Sequence, residues 1–229
     1  MIFSPPEKTR HEVKFVGQEL VYHDLVQWVR VNGAGFRTEY PPRRINNIYF
    51  DTYDLATYEA NLSGCSRRLK VRYRWYGALE APAAGSLEVK CKRNAIGWKL
   101  AEGVKAPLEL AGESWAAIRR DLAGRLSPVF RETLAAYPQP VLANSYRRDY
   151  FISFDGRLRI TLDTEQEVLD QRAGRAPNFR NRSNLPRTVI LEVKCLNEDR
   201  GLASAALANI PLRISKSSKY VSGVAAIFG

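Results

Sequence analysis

The sequence predicts an α+β protein: a closed antiparallel β-barrel of about eight strands whose basic face lines a tunnel, coated outside by several helices. Three observations predict it. Segments alternate polar and apolar residues with the period of two that a half-buried strand requires. Thus Lys70, Arg72 and Arg74 alternate with Leu69, Val71, Tyr73 and Trp75, and Arg157, Arg159, Thr161 and Asp163 alternate with Leu158, Ile160 and Leu162. The tripeptide Glu-Val-Lys recurs in strand-like surroundings at Glu12-Val13-Lys14, Glu88-Val89-Lys90 and Glu192-Val193-Lys194, each copy presenting a carboxylate and an ammonium on one face. Between these segments the apolar spacing is helical.

In chain order, Arg10 to Val16 reads as the first strand. Glu19 to Val31 reads as an amphipathic helix with Leu20, Leu25, Trp28 and Val29 inward, closed by Asn32-Gly33. Pro41-Pro42 breaks the chain before a strand from Ile45 to Phe50. Asp51-Thr52 caps a short helix running through Asn61 and ending at Gly64. Strands follow at Arg67 to Tyr76 and Ser86 to Arg93, and Gly97 to Leu100 extends that sheet or begins another strand. From Gly112 to Tyr137 the spacing of Trp115, Ile118, Leu122, Leu126, Val129, Phe130 and Leu134 is helical, with Pro128 separating two helices. A second β-rich half comprises Val141 to Phe154, Leu158 to Asp163 and Thr188 to Cys195, with a mobile loop expected from Asp170 to Pro186. Ser215 to Phe228 reads as a C-terminal helix with Lys216 and Lys219 on one side of its first turn.

At 229 residues the chain is long enough to bury a full core and fits one domain over 1–229. It has no twenty-residue apolar run, and Met1 to Glu7 lacks the pattern of a secretory signal, so a cytoplasmic protein without its own membrane segment is expected. Cys65, Cys91 and Cys195 are odd in number and have no nearby Cys or His partners, which argues against a disulfide framework or a zinc site. Cys91 and Cys195 fall on the apolar faces of their strands and read as packing residues. The two histidines, His11 and His23, read as structural.

A formal charge of +11 calls for an anionic partner. Its placement on alternating strand positions, rather than on tails or basic helices, favours a narrow linear anion over nucleic acid. Solvated sheet faces normally intersperse both charges, whereas these are dominated by Arg and Lys. Like charges enclosed together repel strongly, so phosphate from a ligand would complete the charge balance. Tyr73, Trp75 and Tyr76 can stack a base or pack a core, and packing is the preferred reading.

The series Arg10-x-Glu12-x-Lys14, Ile48-Tyr49-Phe50-Asp51-Thr52, Leu69 to Gly77, Leu87-Glu88-Val89-Lys90, Arg159 to Thr164, Leu191-Glu192-Val193-Lys194 and Lys216-Ser217-Ser218-Lys219-Tyr220 resembles the VTC domain, the polyphosphate polymerase domain of the vacuolar transporter chaperone complex and its bacterial relatives. The resemblance covers nearly the whole chain in order. It implies the triphosphate tunnel metalloenzyme (CYTH-like) fold, with a basic lumen that threads a triphosphate or polyphosphate and a carboxylate that holds Mn2+ or Mg2+. By the same resemblance Arg72, Arg74, Lys90, Arg148, Arg159, Lys216 and Lys219 would be the catalytic phosphate ligands, Lys14, Lys99 and Arg10 further ligands of the bound phosphates, and Glu192 the metal ligand. Arg147 competes with Arg148, which is preferred because it directly precedes Asp149-Tyr150-Phe151. Arg10 stands where the triphosphatase and cyclase branch carries a Glu, leaving a site poorer in carboxylates.

The implied reaction is transfer of the terminal phosphoryl group of ATP to a growing polyphosphate chain, with Glu88 or Glu12 orienting lysines. Hydrolysis of tripolyphosphate or nucleoside triphosphates, and non-catalytic sensing of polyphosphate or inositol phosphates, stand as alternatives. A membrane protein is a further conceivable partner of such a domain, and nucleic acid is not expected.

Overall fold

The computed structural model describes residues 10–94 and 96–228; the reading of Met1 to Glu7 lies outside them. Strands β1 (Arg10–Gln18), β2 (Arg37–Asp51), β3 (Arg67–Tyr76), β4 (Gly85–Arg93), β5 (Ile96–Val104), β6 (Gln139–Ile152), β7 (Arg159–Asp170), β8 (Arg182–Ser183) and β9 (Thr188–Leu196) form one antiparallel sheet. Its order is β1-β9-β7-β6-β2-β3-β4-β5, with β8 paired to β7. The helices are α1 (Tyr22–Val31), α2 (Ala56–Leu62), α3 (Trp115–Gly124), α4 (Pro128–Ala136), α5 (Arg200–Ala206) and α6 (Lys219–Phe228).

The sheet curls into an open half-barrel, which corrects the expected closed barrel and its tunnel. Closure requires β1 and β5 to pair, but the free edge of β1 is engaged by the C-terminal segment. Ser215 N–H donates to the Lys14 carbonyl at 2.8 Å, and Phe15 forms a β-bridge with Ile214. Across the open seam Lys90 of β4 reaches Glu12 of β1 at 3.4 Å.

The apolar faces bury against helices, as alternation demands. Val71, Tyr73, Trp75 and Leu87 pack with Trp115, Ile118 and Leu122 of α3 and Leu134 of α4. Phe15, Ile160, Leu162, Leu191 and Val193 pack with Leu25 and Val29 of α1 and Ala203 of α5. Tyr73 and Trp75 are fully buried, in line with the core reading, whereas Tyr76 is 49% exposed. Cys91 and Cys195 are buried.

Helix α6 is placed differently: it packs on the concave face, against Tyr49, Leu142 and Val168. The close approach explains Gly223, where a Cβ would sit 2.8 Å from Leu142 Cδ2. The helix is tied down by Asp51, a fully buried carboxylate that accepts from the N–H groups of Thr57 and Tyr58 in α2 and from the Tyr220 hydroxyl at 2.5 Å. The predicted Asp51-Thr52 cap thus caps α2 and also anchors α6.

Several boundaries differ from expectation for identifiable reasons. Pro41-Pro42 does not end a strand; β2 runs through it with register shifts between Thr38 and Tyr40 and between Tyr40 and Arg43, as a bulge permits. Leu20 is 86% exposed because the first turn, Glu19–Val21, is a 3-10 turn that rotates it outward. The Asp170 to Pro186 stretch is held by its own hydrogen bonds, with buried Gln171 joined to Asn178 in both directions and β8 paired to β7. Helix α5 has no counterpart in the sequence reading. Helix α6 begins at Lys219, where the Ser218 hydroxyl accepts from Val221 N–H at 3.2 Å, so Lys216 precedes the helix and does not share its first turn with Lys219.

Candidate functional site

The concave face carries the polar sides of the strands. Arg72 stands opposite Glu88 on β4 and Tyr49 on β2, and Arg74 opposite Asn47. Arg43 and Asp163 flank Arg148, and Glu192 faces Thr161 on one side and Lys14 on the other. The first and third Glu-Val-Lys copies are adjacent antiparallel partners, Glu12 opposite Lys194 and Lys14 opposite Glu192. The second copy, on β4, reaches them across the open seam through Lys90 and Glu12.

These positions converge on a cleft of about 100 Å³. Eight cationic side chains line it, Lys14, Lys70, Arg72, Arg74, Lys90, Arg148, Lys194 and Lys219, together with one carboxylate, Glu192. Tyr49, Tyr146, Ser217 and Ser218 complete the wall. Strand alternation supplies the cations from five strands, and the Ser217 to Lys219 segment crosses in front of them. Lys14 Nζ donates to the Ser217 carbonyl at 3.3 Å and Lys70 Nζ to the Ser218 hydroxyl at 2.8 Å.

Carboxylates hold the cations in place. Glu88, 3% exposed, receives Arg72 through Nε and Nη2 at 2.8 and 2.6 Å, Lys99 at 2.6 Å, and Arg74 at 3.7 Å. Asp163, fully buried, receives Arg148 bidentately at 2.5 and 2.7 Å and Lys219 at 2.5 Å. Arg74 is further fixed by Asn47 at 2.9 Å and the Tyr146 hydroxyl at 3.3 Å, while Asn47 itself donates to Asn144 at 2.8 Å. Burial alone would push these carboxyls up. The guanidiniums of Arg72 and Arg74 with Lys99 bring Glu88 down to about 2, and Arg148 with Lys219 do the same for Asp163. Glu192 is likewise held well below the carboxylate range, its burial outweighed by Lys194, Lys14 and Arg148.

The cations retain an excess that these carboxylates do not cancel. Lys70 shows it most clearly: burial, then the charges of Lys90 and Lys14, lower its amine from 10.5 to about 7. Lys90 is lowered as well, by burial first, its attraction to Glu12 opposed by Lys14. Tyr146 lies against Arg148 and Arg74, which overcome its burial and lower the hydroxyl to about 8. The arrangement stabilises a multiply charged anion, to which Arg offers a bidentate fork and Lys a mobile point charge.

Of the residues singled out in the sequence, Lys14, Arg72, Arg74, Lys90, Arg148, Lys219 and Glu192 line the cleft. Lys99 lies behind it on Glu88, and Arg10 is exposed at the start of β1. Arg159 is 55% exposed at the side chain and pairs with Glu39 at 3.1 Å outside the cleft. Lys216 lines an adjoining cavity of about 270 Å³ with Val16, Asn144 and Ile190. Arg147 points elsewhere, to Asp149 at 3.1 Å. Lys70, Lys194 and Tyr146 line the cleft as well and are not among the expected ligands, although parity with Arg72, Glu192 and Arg148 points to all three.

For a divalent ion, Glu192 and Glu12 share the concave face of adjacent strands and both pair with Lys14, at 3.6 and 3.0 Å. Among the described residues no three His, Cys, Asp or Glu side chains form a metal cage. Two carboxylates fit the habit of Mg2+, which is held by one or two carboxylates together with substrate phosphates.

The family model of the VTC domain matches residues 9–228. No curated protein matches the chain. Similar solved structures include a Hippeastrum protein described as a candidate adenylyl cyclase with a dominant triphosphatase activity (14% identity, 93% of each chain covered, TM-score 0.52). Others are a candidate adenylate cyclase from Vibrio parahaemolyticus (13%, 94% of this chain and 98% of that one, TM-score 0.48) and the PH1819 protein from Pyrococcus horikoshii (15%, 93% and 97%, TM-score 0.45). At 14% identity the Hippeastrum likeness bears on the fold alone.

Proposed function

The chain belongs to the VTC domain family, and from that premise we propose that it is a polyphosphate polymerase, moving the terminal phosphoryl group of ATP to the end of an inorganic polyphosphate chain in the cationic cleft. The observation that carries this reading is the eight-to-one excess of cations over carboxylates on the cleft wall, with no histidine or cysteine among its lining residues. Phosphoryl transfer passes through a loose transition state in which catalysis is chiefly positioning and neutralisation of the equatorial oxygens. Arg72, Arg74 and Arg148, each fixed by a buried carboxylate, are pre-oriented for that work. Lys14, Lys90 and Lys219 add charge along the chain.

The acceptor, a terminal phosphate oxygen, is already ionised and needs no general base, whereas attacking water needs activation. Glu192 and Glu12 would hold Mn2+ or Mg2+ against the phosphates, and the bound ion would supply further neutralisation of charge on them. Glu192→Ala is expected to abolish the dependence of turnover on divalent ion; full ion-dependent turnover in that variant contradicts the assignment. No helix among the described residues is long and apolar enough to cross a membrane.

The test is incubation of purified protein with ATP and Mn2+, with products resolved by gel electrophoresis. A ladder of phosphate chains supports the polymerase, orthophosphate alone would make the protein a hydrolase, and neither product would make it a binding module.

The lowered Lys70 amine gives a pH prediction. Below about 7 the amine is charged and attracts phosphate; as pH rises through 7 toward its ordinary 10.5 the unliganded amine is neutral, and binding must take up a proton. Tripolyphosphate affinity therefore falls between pH 7 and 9, with deprotonation of Tyr146 near 8 acting in the same direction. Calorimetry in buffers of different ionisation enthalpy reads the proton uptake at pH 8, and Lys70→Met reduces it.

A further inference from the structure

Beyond Arg74 and Arg148, the next concave-face positions on β3 and β6 are aromatic, Tyr76 and Tyr150. Strand β2 adds Tyr40 and Arg43, on either side of the Pro41-Pro42 bulge. Tyr40 is the register partner of Tyr150, and Arg43 the partner of Arg148. The Arg43 guanidinium carbon lies 4.9 Å from the Tyr40 ring centroid, 5.6 Å from Tyr76 and 5.8 Å from Tyr150. The Tyr40 and Tyr150 rings meet edge to face at 5.7 Å.

Packing alone does not account for this cluster. Tyr40 and Tyr76 remain 43% and 49% exposed, while Tyr73 and Trp75 on the opposite face of β3 are fully buried. Among the described residues Arg43 has no carboxylate partner, unlike Arg72, Arg74 and Arg148 in the cleft and Arg44 and Arg147 beside it. Among the described residues its N–H groups make no hydrogen bond, and the rings of Tyr40, Tyr76 and Tyr150 surround it.

We propose that Tyr40, Arg43, Tyr76 and Tyr150 form a nucleoside subsite, which stacks the base of a nucleoside triphosphate whose phosphates lie in the cleft. This rests on the reading of the cleft as the site of the ATP phosphates and deepens it by naming the residues that hold the nucleoside. Tyr76 lies two positions beyond Arg74 on the same face, roughly 7 Å along the strand, a span that a ribose bridges. Every base has a π face that stacks on tyrosine or on a guanidinium, and the Arg43 fork stays available to a ribose hydroxyl or the first phosphate. The bulge in β2 serves the site, because it brings Tyr40 and Arg43 to the same end of the cleft.

The experiment compares dissociation constants for ATP and for inorganic tripolyphosphate by calorimetry, without turnover, in the native protein, in a Tyr40→Ala/Tyr76→Ala double variant and in Tyr76→Phe. Loss of stacking weakens ATP by about fivefold or more, leaves tripolyphosphate unchanged, and is rescued by the ring retained in Tyr76→Phe. Unchanged tripolyphosphate affinity also reports that the double variant is folded. Equal weakening of both ligands, or of neither, overturns the subsite. Native protein that binds tripolyphosphate no less tightly than ATP also overturns it while leaving the phosphate cleft standing; binding of neither ligand removes both.

Discussion

Arg74→Ala lowers kcat/KM for ATP by about a hundredfold or more, the scale on which a pre-oriented donor to transition-state charge contributes, with little change in melting temperature. The separation of activity from stability follows from the geometry. Glu88 keeps Arg72 and Lys99 when Arg74 is removed, so no buried charge is stranded, and Asn47 keeps Asn144. The cleft nevertheless loses a guanidinium positioned by three groups, Asn47, Tyr146 and Glu88. Arg74→Lys restores part of the affinity and less of the rate, because an ammonium replaces the charge but not the fork. Steady-state kinetics and thermal unfolding of the same preparations check both halves.

Asp163→Ala has the largest expected effect on stability, a loss of about 3–5 kcal/mol typical of breaking a buried ion pair. Asp163 is fully buried and serves Arg148 and Lys219 together, so its removal leaves two close cations without a counterion. Tripolyphosphate should recover part of the loss, since phosphate supplies the missing negative charge; denaturant unfolding with and without the ligand measures this. The pH dependence has a defined sign. Asp163 and Glu88 are held at about 2, below their ordinary 3.8 and 4.5. Their stabilising contributions are complete above the ordinary carboxylate range and disappear as pH falls toward 2. In Asp163→Asn the acid limb of the stability curve is shallower.

How much of this was legible in the sequence depended on whether strand parity governed the residue. Arg68 to Trp75 alternates without interruption, and the structure runs β3 one residue further at each end, the bounds expected from the sequence. Parity also puts Lys14, Arg72, Arg74, Lys90 and Glu192 on polar strand faces, the resemblance adds Arg148, and all six share one cleft. Parity cannot give position along the barrel axis, which is why Arg159 and Lys216, on the expected face or segment, lie outside that cleft. Nor does it report the state of an edge: closure failed because Ser215 and Ile214 engage β1, a tertiary contact between chain ends that no local pattern announces. The bulge at Pro41-Pro42 was read as a break because proline removes a ladder donor, yet β2 resumes on both sides of it.

The most direct test of the central claim is diffraction from crystals soaked with tripolyphosphate. The structure predicts three phosphates in line within the cleft, with oxygens in hydrogen-bonding reach of Arg72, Arg74, Arg148 and Lys219. Tripolyphosphate bound only at exposed basic residues outside the half-barrel, such as Arg175 and Arg180, with the cleft side chains still paired as described, would contradict it.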